Sequence, residues 1–235
     1  MEKLREYARE YGIELSEEQL NQFNTYYEML IEKNKVMNLT AITEKEDVMV
    51  KHFADSIAVA SCYDFVNQEV SLIDVGTGAG FPGIPLKIAF PNLKVTLLDS
   101  LNKRVSFLQE VIDELGLEEI QAVHDRAEDG AKKVEFREQF DICVSRAVAN
   151  LSSLSEYCLP FVKVGGYFIS YKSGNCEEEV IAAKSAVFLL GGKVKDTIKF
   201  DLGESGRSFI KIEKVKGTPK TYPRKAGTPS KKPLN

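Results

Sequence analysis

A loop with four glycines in eight residues constrains this chain more than any other feature. It lies in the stretch IDVGTGAGFPG at positions 73–83, where a short apolar run ends and a helical pattern follows. Glycines at such a turn supply positive φ angles and let the backbone approach a ligand closely. A plain turn between a strand and a helix needs only one or two of them. The loop therefore predicts a ligand site at the carboxyl end of a strand.

From residue 71 onward, short β-rich runs alternate with helical patterns, as expected for βαβ units around a mostly parallel sheet. The predicted strands lie near 71–75, 94–99, 119–123, 140–145, 166–171, 193–199 and 207–213, and the helices between them include 101–115, 151–159 and 177–190. The connection at 201–206 is too short for a crossover helix, so the last two strands should pair as an antiparallel hairpin. The predicted fold class is α/β and Rossmann-like, with a mostly parallel seven-stranded sheet.

The residues before the first strand predict helices. Apolar residues recur at helical spacing behind Ser16, which forms a capping box with Gln19. Thr43 and Glu46 have the spacing of a second box, which should open another helix that runs to about residue 59. The segment 38–41 between them predicts a connection, since Asn and Thr compete for backbone hydrogen bonds. The predicted organisation is an N-terminal helical extension at 1–66, an α/β domain at 67–213 and a tail at 214–235.

The tail differs sharply from the rest in charge and composition. Seven Lys and Arg residues and no acidic residue follow Glu213, whereas the whole chain has a net charge of −4. Four of the eight prolines also lie there. These features predict a tail that is extended or disordered without a partner and suited to a polyanion. The competing hypothesis is that the segment 222–224 docks on the domain as a structural strap.

Composition also argues against several classes of protein. The first residues are charged, and no apolar run approaches the roughly 20 residues of a membrane span, so we expect a cytoplasmic protein that does not bind a membrane. Four dispersed cysteines and two histidines suggest neither a zinc site nor a disulfide framework. We expect the cysteines to be buried and the protein to be a monomer without a metal.

Two cofactors fit the glycine loop. The spacing Gly78-x-Gly80-x-x-Gly83, with Asp99 further along, matches a dinucleotide fingerprint. Asp74, however, precedes the loop, and a carboxylate there disfavours a pyrophosphate but attracts the ammonium and sulfonium of S-adenosylmethionine. The sequence thus favours a methyltransferase over an NAD-dependent dehydrogenase, and over a module that binds RNA without turnover.

Further contacts to this cofactor are predicted at the ends of the next strands. Asp99 ends the second strand and can accept hydrogen bonds from both ribose hydroxyls, or can cap the following helix. After the third strand, either Asp125 or Glu128 can recognise the amino edge of adenine, or both can cap the surface backbone. Gly76 and Gly78 belong to the loop that approaches the cofactor.

The region after the fourth strand indicates the acceptor by what it lacks. The motif Asn/Asp-Pro-Pro-Tyr/Phe, used in exocyclic amine methylation, is absent, and Cys143 lies inside an apolar strand rather than in an activating site. A guanine N7 has a free lone pair and no proton, so its methylation needs alignment rather than a general base. Arg146 is a candidate to position the substrate or the cofactor, or forms a structural ion pair; Lys172 has the same ambiguity.

Several strings together resemble one family along essentially the whole chain: NLTAI at 38–42, HFADS at 52–56, DVGTGAGFPG at 74–83, DSLNKR at 99–104, SRA at 145–147 and YPRK at 222–225. They are similar to the bacterial 16S rRNA guanine-N7 methyltransferase family RsmG, also called GidB. The resemblance implies methyl transfer from S-adenosylmethionine to N7 of one guanine in the decoding-region loop of 16S rRNA, in naked form, in an assembly intermediate or in the small ribosomal subunit.

The resemblance also implies particular contacts. Gly76 and Phe81 would contact the cofactor at the loop, Ala127 and Glu128 would contact the adenosine, and Arg146 would lie on the far side of the same pocket. Without the resemblance, the alternative interpretation of Phe81 is an aromatic residue of the core. His52, beside Lys51, could face RNA, although a lone histidine is more often structural.

Overall fold

A computed structural model describes residues 1–66, 69–146 and 149–234, and shows a central sheet of seven strands. The strand order is β3-β2-β1-β4-β5-β7-β6. All pairings are parallel except those of β7, which is antiparallel to β5 and β6. The strands are β1 Ser71–Val75, β2 Lys94–Asp99, β3 Ile120–His124, β4 Phe140–Ser145, β5 Val162–Ser173, β6 Gly192–Leu202 and β7 Ser205–Lys214.

The helices lie where the sequence pattern predicts them within the α/β region. They are α1 Glu2–Glu10, α2 Glu17–Met37, α3 Lys45–Val48, α4 Asp55–Ile57, α5 Gly83–Ala89, α6 Asn102–Glu114, α7 Ala127–Gly130, α8 Leu151–Cys158, α9 Glu177–Leu189 and α10 Thr228–Lys231. The mostly parallel sheet, the final antiparallel hairpin and the preceding helices confirm the predicted Rossmann-like class I methyltransferase fold.

The central parallel strands β1, β2 and β4 are buried on both faces, and this explains their mostly apolar sequences, whereas β3 at the edge of the sheet is partly exposed. Consecutive residues of β1 enter different clusters, Leu72 on one face and Ile73 on the other. The Leu72 face packs against α2, α5 and α6, for example through Phe23 and Phe107. The Ile73 face packs against α8 and α9, for example through Leu154. The strand ends that carry functional residues are therefore held by two hydrophobic layers.

The N-terminal region confirms one predicted cap and corrects another. Ser16 and Gln19 form the predicted capping box, and Asn38 ends α2 in a left-handed conformation with φ 49°. Thr43 and Glu46 do not form a second box, because α3 begins after Glu44 without a side-chain cap. The helix predicted beyond them is also not continuous. A π-helical turn, Met49–Ala54, and a 3-10 turn, Ala58–Ser61, interrupt it.

The tail is ordered against the domain, which corrects the expectation of an extended or disordered segment. Lys214, one of the seven basic residues of the tail, has a fully buried side chain whose Nζ lies 3.1 Å from Glu138 Oε1. The guanidinium of Arg137 donates to three tail carbonyls, those of Thr218, Pro219 and Tyr222. Composition predicted disorder because these partners lie about 80 residues upstream, where no local pattern reveals them.

The described residues include neither a membrane-spanning helix nor a metal-binding cluster. No helix within residues 1–66, 69–146 and 149–234 is long and apolar enough to cross a membrane. The same ranges contain no group of three or more His, Cys, Asp or Glu side chains arranged to hold a metal ion. Three of the four cysteines are buried and Cys62 is partly buried, all as free thiols.

Candidate active site

The glycine loop is held by Asp74 at the end of β1. Asp74 Oδ2 accepts a 2.7 Å hydrogen bond from Thr77 Oγ1 and a 2.8 Å bond from the N–H of Gly83. Gly83 has no room for a side chain, since a Cβ there would lie 2.3 Å from Leu97 Cδ2 and 3.0 Å from Asp74 Oδ2. Asp74 and Gly83 thus join both ends of the loop.

Asp74 is completely buried, and burial raises the pKa of its carboxyl to about 7 against the opposing hydrogen bonds from Thr77 and Gly83. Its second oxygen, Oδ1, is buried without a hydrogen-bond partner among the described residues. Asp74 lines neither of the two cavities described below. The carboxylate therefore organises the loop, and its predicted contact with a cofactor ammonium stays a prediction.

The raised pKa of Asp74 predicts a pH-dependent stability. Because the folded pKa of about 7 exceeds the unfolded value of 3.8, the stabilising contribution is complete below pH 4 and is lost as pH rises through 7. Asp74→Asn cannot ionise. We expect the free energy of unfolding of Asp74→Asn, relative to wild type, to increase by roughly 2 to 3 kcal/mol between pH 5 and pH 8. Urea unfolding of both proteins at the two pH values, without cofactor, measures this, and a pH-independent difference would contradict it.

A first cavity opens beside this loop, at the carboxyl ends of β1, β2 and β3. We call it the β1–β3 cavity, and its volume is about 460 Å³. The strand ends and the segments that follow them line it, together with α7 and α8. Its lining residues are Val75, Gly76, Leu98, Asp99, Ser100, Leu101, Arg104, Asp125, Arg126, Ala127, Glu128, Leu154 and Tyr157.

Asp99 is the central acceptor of the β1–β3 cavity. Its Oδ2 accepts a 2.9 Å bond from the Gly78 N–H and lies 3.5 Å from Arg104 Nη1, and its Oδ1 accepts a 2.9 Å bond from the Leu101 N–H. The ribose and capping interpretations of Asp99 are therefore compatible, since a carboxylate has about four acceptor positions. Arg104 lines the same cavity.

The segment after β3 contributes both carboxylates that the sequence offered as the acceptor for the amino group of adenine. Asp125 and Glu128 both line the β1–β3 cavity. Asp125 Oδ1 accepts from the Arg126 N–H at 2.8 Å, whereas Glu128 Oε1 accepts from the Gly227 N–H of the tail at 2.8 Å. Each carboxylate thus has one oxygen fixed by a backbone amide, and the second oxygen of Asp125, Oδ2, lies 2.9 Å from Lys133 Nζ.

A second cavity lies over the carboxyl ends of β4 and β5 and the start of β7. We call it the β4–β7 cavity, and its volume is about 600 Å³. Four cationic side chains and two carboxylates line it, which makes it electropositive on a chain whose net charge is −4. The lining residues are Lys51, His52, Asp55, Arg146, Ala149, Asn150, Tyr171, Lys172, Ser173, Glu179, Phe200, Arg207, Ser208 and Phe209.

Arg146 lies in the wall of the β4–β7 cavity in a fixed orientation. Its Nη1 donates to Asp55 Oδ2 at 2.8 Å and to the Lys51 carbonyl at 3.3 Å. Its guanidinium carbon lies 5.1 Å from the ring centre of Phe81. The other oxygen of Asp55 accepts from Arg207 Nε at 2.8 Å, so one buried carboxylate serves two arginines. Arg146 is therefore both ion-paired and available to the cavity.

His52 connects the N-terminal region to Arg146. Its Nδ1 lies 3.3 Å from Arg146 Nη2, and its Nε2 lies 2.8 Å from Thr40 Oγ1. Because a guanidinium can only donate, Nδ1 is the acceptor and the ring proton is on Nε2. Burial, followed by the charge of Arg146, lowers the pKa of His52 to about 3. His52 is therefore a neutral, structural residue that also forms part of the cavity wall, and this position is compatible with both roles considered from sequence, facing RNA and packing in the structure.

The predicted site residues do not all lie in one cavity. Gly76, Asp99, Ala127 and Glu128 meet around the β1–β3 cavity, and Gly78 adjoins them by its bond to Asp99. Arg146 lies in the other cavity, near enough to Asp74 to lower the pKa of that carboxyl.

Phe81 lines neither cavity. Its ring is buried, with its centre 4.5 Å from that of His52 and 5.4 Å from that of Tyr26. The core-aromatic interpretation describes its position. Lys172 donates to the Ala149 carbonyl and to Glu179 Oε1, each at 2.7 Å, so its charge is paired within the β4–β7 cavity.

Sequence reasoning missed Asp55 and Arg207. Asp55 lies in a string that carries the family resemblance, yet nothing local assigned it a role. Its partner Arg207 is 152 positions away on β7. The signal that could have predicted an ion pair there is an acidic residue among the apolar, buried positions of a helical pattern.

Comparison with solved structures identifies proteins of the same fold. The chain superposes on M. jannaschii TYW2 in complex with AdoMet with a TM-score of 0.52 and 17% sequence identity, covering 63% of this chain and 71% of that one. It superposes on MtNAS in complex with MTA and tNA with a TM-score of 0.56 and 13% identity, covering 83% of this chain and 74% of that one. At these identities the likeness shows the fold alone.

Comparison of sequences is more specific. The chain is 55% identical to the ribosomal RNA small subunit methyltransferase G of Lachnoclostridium phytofermentans over 228 residues, covering 96% of this chain and 94% of that protein. It is 53% identical to the enzyme of the same name from Staphylococcus aureus, covering 100% and 98%. The family model for GidB, rRNA small subunit methyltransferase G, matches residues 19–207. The chain therefore belongs to the rRNA small subunit methyltransferase G family.

Proposed function

We propose that this enzyme transfers a methyl group from S-adenosylmethionine to N7 of one guanine in the decoding-region loop of 16S rRNA, in the cytoplasm. The observation that carries the proposal is the pair of cavities at the carboxyl ends of the parallel strands. They lie over β1–β3 and over β4–β7, where the strand order reverses between β1 and β4. In open α/β sheets, ligands bind at this switch point.

The residues around the β1–β3 cavity fit S-adenosylmethionine. Asp99 has acceptor capacity for both ribose hydroxyls, and Glu128 or Asp125 can accept from the adenine amino group. The Asp74 Oδ1 atom, which has no hydrogen-bond partner among the described residues, is an unsatisfied acceptor beside the loop, and an acceptor there suits a cation better than a pyrophosphate. When bound, the cofactor supplies an electrophilic methyl group.

The residues around the β4–β7 cavity fit a nucleotide of RNA. Aromatic rings and arginine planes stack on unpaired bases, and Tyr171, Phe200, Arg146 and Arg207 line the cavity. Its excess of positive charge favours the RNA backbone. Guanine N7 carries no proton, so these residues need only orient the base and balance charge. His52, with its pKa of about 3, is neutral and serves no proton transfer.

The test combines binding and product mapping. We expect calorimetry to show binding of S-adenosylmethionine but not of NAD. We expect transfer of labelled methyl to a single N7-methylguanine of 16S rRNA, with 23S rRNA as the control. Parallel reactions on naked 16S rRNA, assembly intermediates and complete small subunits identify the substrate. Preference for NAD, binding of RNA without transfer, or methylation of another atom would overturn the proposal.

A further inference from the structure

The outer wall of the β1–β3 cavity is made by two short helices, and both contact the tail. Helix α7 provides Ala127 and Glu128 to the cavity, and α8 provides Leu154 and Tyr157. Neither helix exceeds eight residues. Helices this short depend on tertiary contacts for their position. The contacts that hold α7 and α8 therefore influence the shape of the cavity.

The tail contacts α7 directly at a cavity residue. The Gly227 N–H donates to Glu128 Oε1 at 2.8 Å. Gly227 has φ 79°, a left-handed conformation that favours glycine and turns its N–H toward α7. Glu128 is nearly buried and lines the cavity. A tail amide thus fixes one oxygen of a carboxylate that lines the cavity.

The tail contacts α8 through a buried ion pair. Glu156 has no exposed surface, and it accepts from Arg224 N at 2.8 Å, from Nε at 2.9 Å and from Nη2 at 2.6 Å. Arg224 Nη2 also donates to the Lys232 carbonyl at 2.7 Å, which folds the tail back on itself. Ser153 Oγ donates to the Pro229 carbonyl at 2.7 Å. Glu156 is thus held by the tail, while the adjacent Tyr157 lines the cavity.

We propose that Arg224 is a positioning residue for the cofactor site. Through Glu156 on α8, and through the Gly227 amide on Glu128 of α7, it fixes the two helices relative to each other and so sets the adenosine end of the cavity. This inference rests on the proposed binding of S-adenosylmethionine there. It assigns the basic tail to the cofactor site, in addition to any electrostatic contact of its exposed lysines with RNA.

The test measures the Kd for S-adenosylmethionine by calorimetry, together with thermal unfolding. We expect Arg224→Ala to raise the Kd about tenfold, since it releases both helices, and to increase hydrogen exchange in α7. The Kd of Arg224→Lys should lie between those of Arg224→Ala and wild type, because an ammonium cannot make the forked contact with Glu156. Ser153→Ala, which removes only the bond to Pro229, should raise the Kd two- to threefold and serves if Arg224→Ala does not fold.

Glu138→Gln is the matched control. Glu138 anchors the start of the tail through the Thr218 N–H at 2.7 Å and through Lys214, and it lines neither cavity. We expect this variant to lose thermal stability while keeping the wild-type Kd. If the Kd of every variant instead rises in proportion to its lost stability, or stays at the wild-type value in Arg224→Ala, the inference is overturned. Failure of wild type to bind S-adenosylmethionine would overturn the proposed cofactor as well.

Discussion

Asp99→Asn should raise the Kd for S-adenosylmethionine about 100-fold while leaving the sheet folded. The carboxylate lines the β1–β3 cavity, and its two oxygens are oriented by the N–H groups of Gly78 and Leu101. A hydrogen bond to a charged group contributes about 1.5–3 kcal/mol, and two ribose hydroxyls share this acceptor, so about 3 kcal/mol is lost with the charge. Titration calorimetry measures the change directly.

The assignment to the ribose is separable from a merely structural role of Asp99. A cofactor analogue without ribose hydroxyls should bind wild type more weakly than S-adenosylmethionine does, but should bind Asp99→Asn about as well. Asp129→Asn is the matched control, because Asp129 follows the adjacent Glu128 on α7 but pairs with Lys132 at the surface. If the analogue lost equal affinity in both proteins, Asp99 would be a cap of the glycine loop and not a ribose ligand.

The sheet and the first cavity could be predicted because their signals are local. Each strand is a short apolar run, and the residues at its carboxyl end follow within a few positions, as Gly76 follows β1 and Asp99 ends β2. Parallel strands place those ends at one edge of the sheet. The position of Asp99 beside Gly78 therefore follows from sequence, although the distance of 2.9 Å does not.

The second cavity and the tail could not be predicted because their contacts are nonlocal. Asp55 meets Arg207 across 152 positions, and Glu156 meets Arg224 across 68. Composition of the tail, rich in lysine and proline, is typical of disorder when its partners are unknown. The acceptors that order it are the buried Glu156 on α8 and the half-buried Glu138 in the loop before β4, and both lie within patterns that predict only helix and surface.

The prediction of a continuous helix through His52 was wrong for a different reason. The pattern of apolar residues predicts a continuous helix from 43 onward, but hydropathy is insensitive to a change of hydrogen-bond register from α to π. The π-helical turn Met49–Ala54 carries both Lys51 and His52. The Lys51 carbonyl accepts from Arg146 there, so the irregular turn participates directly in holding the arginine of the second cavity.

That arginine carries the other large expected effect: Arg146→Ala should reduce methyl transfer about 100-fold, because a poorly oriented acceptor loses about that much rate. Loss of stability should be small, since Asp55 keeps Arg207 as a partner and is not left as an unpaired buried charge. Single-turnover kinetics with 16S rRNA, calorimetry with S-adenosylmethionine and thermal unfolding measure the three quantities.

The pattern of losses distinguishes positioning of RNA from a structural ion pair. If Arg146 positions the base, the rate of methyl transfer by Arg146→Ala falls while its Kd for S-adenosylmethionine and its Tm stay near the wild-type values. Arg146→Lys then recovers only part of the rate, because a lysine lacks the planar guanidinium that contacts Asp55 and the Lys51 carbonyl. Lys163→Ala, which removes a cation from the amino end of β5, should retain full activity. A large fall in Tm with full recovery of the rate in Arg146→Lys would instead make the pairing with Asp55 the whole role of Arg146.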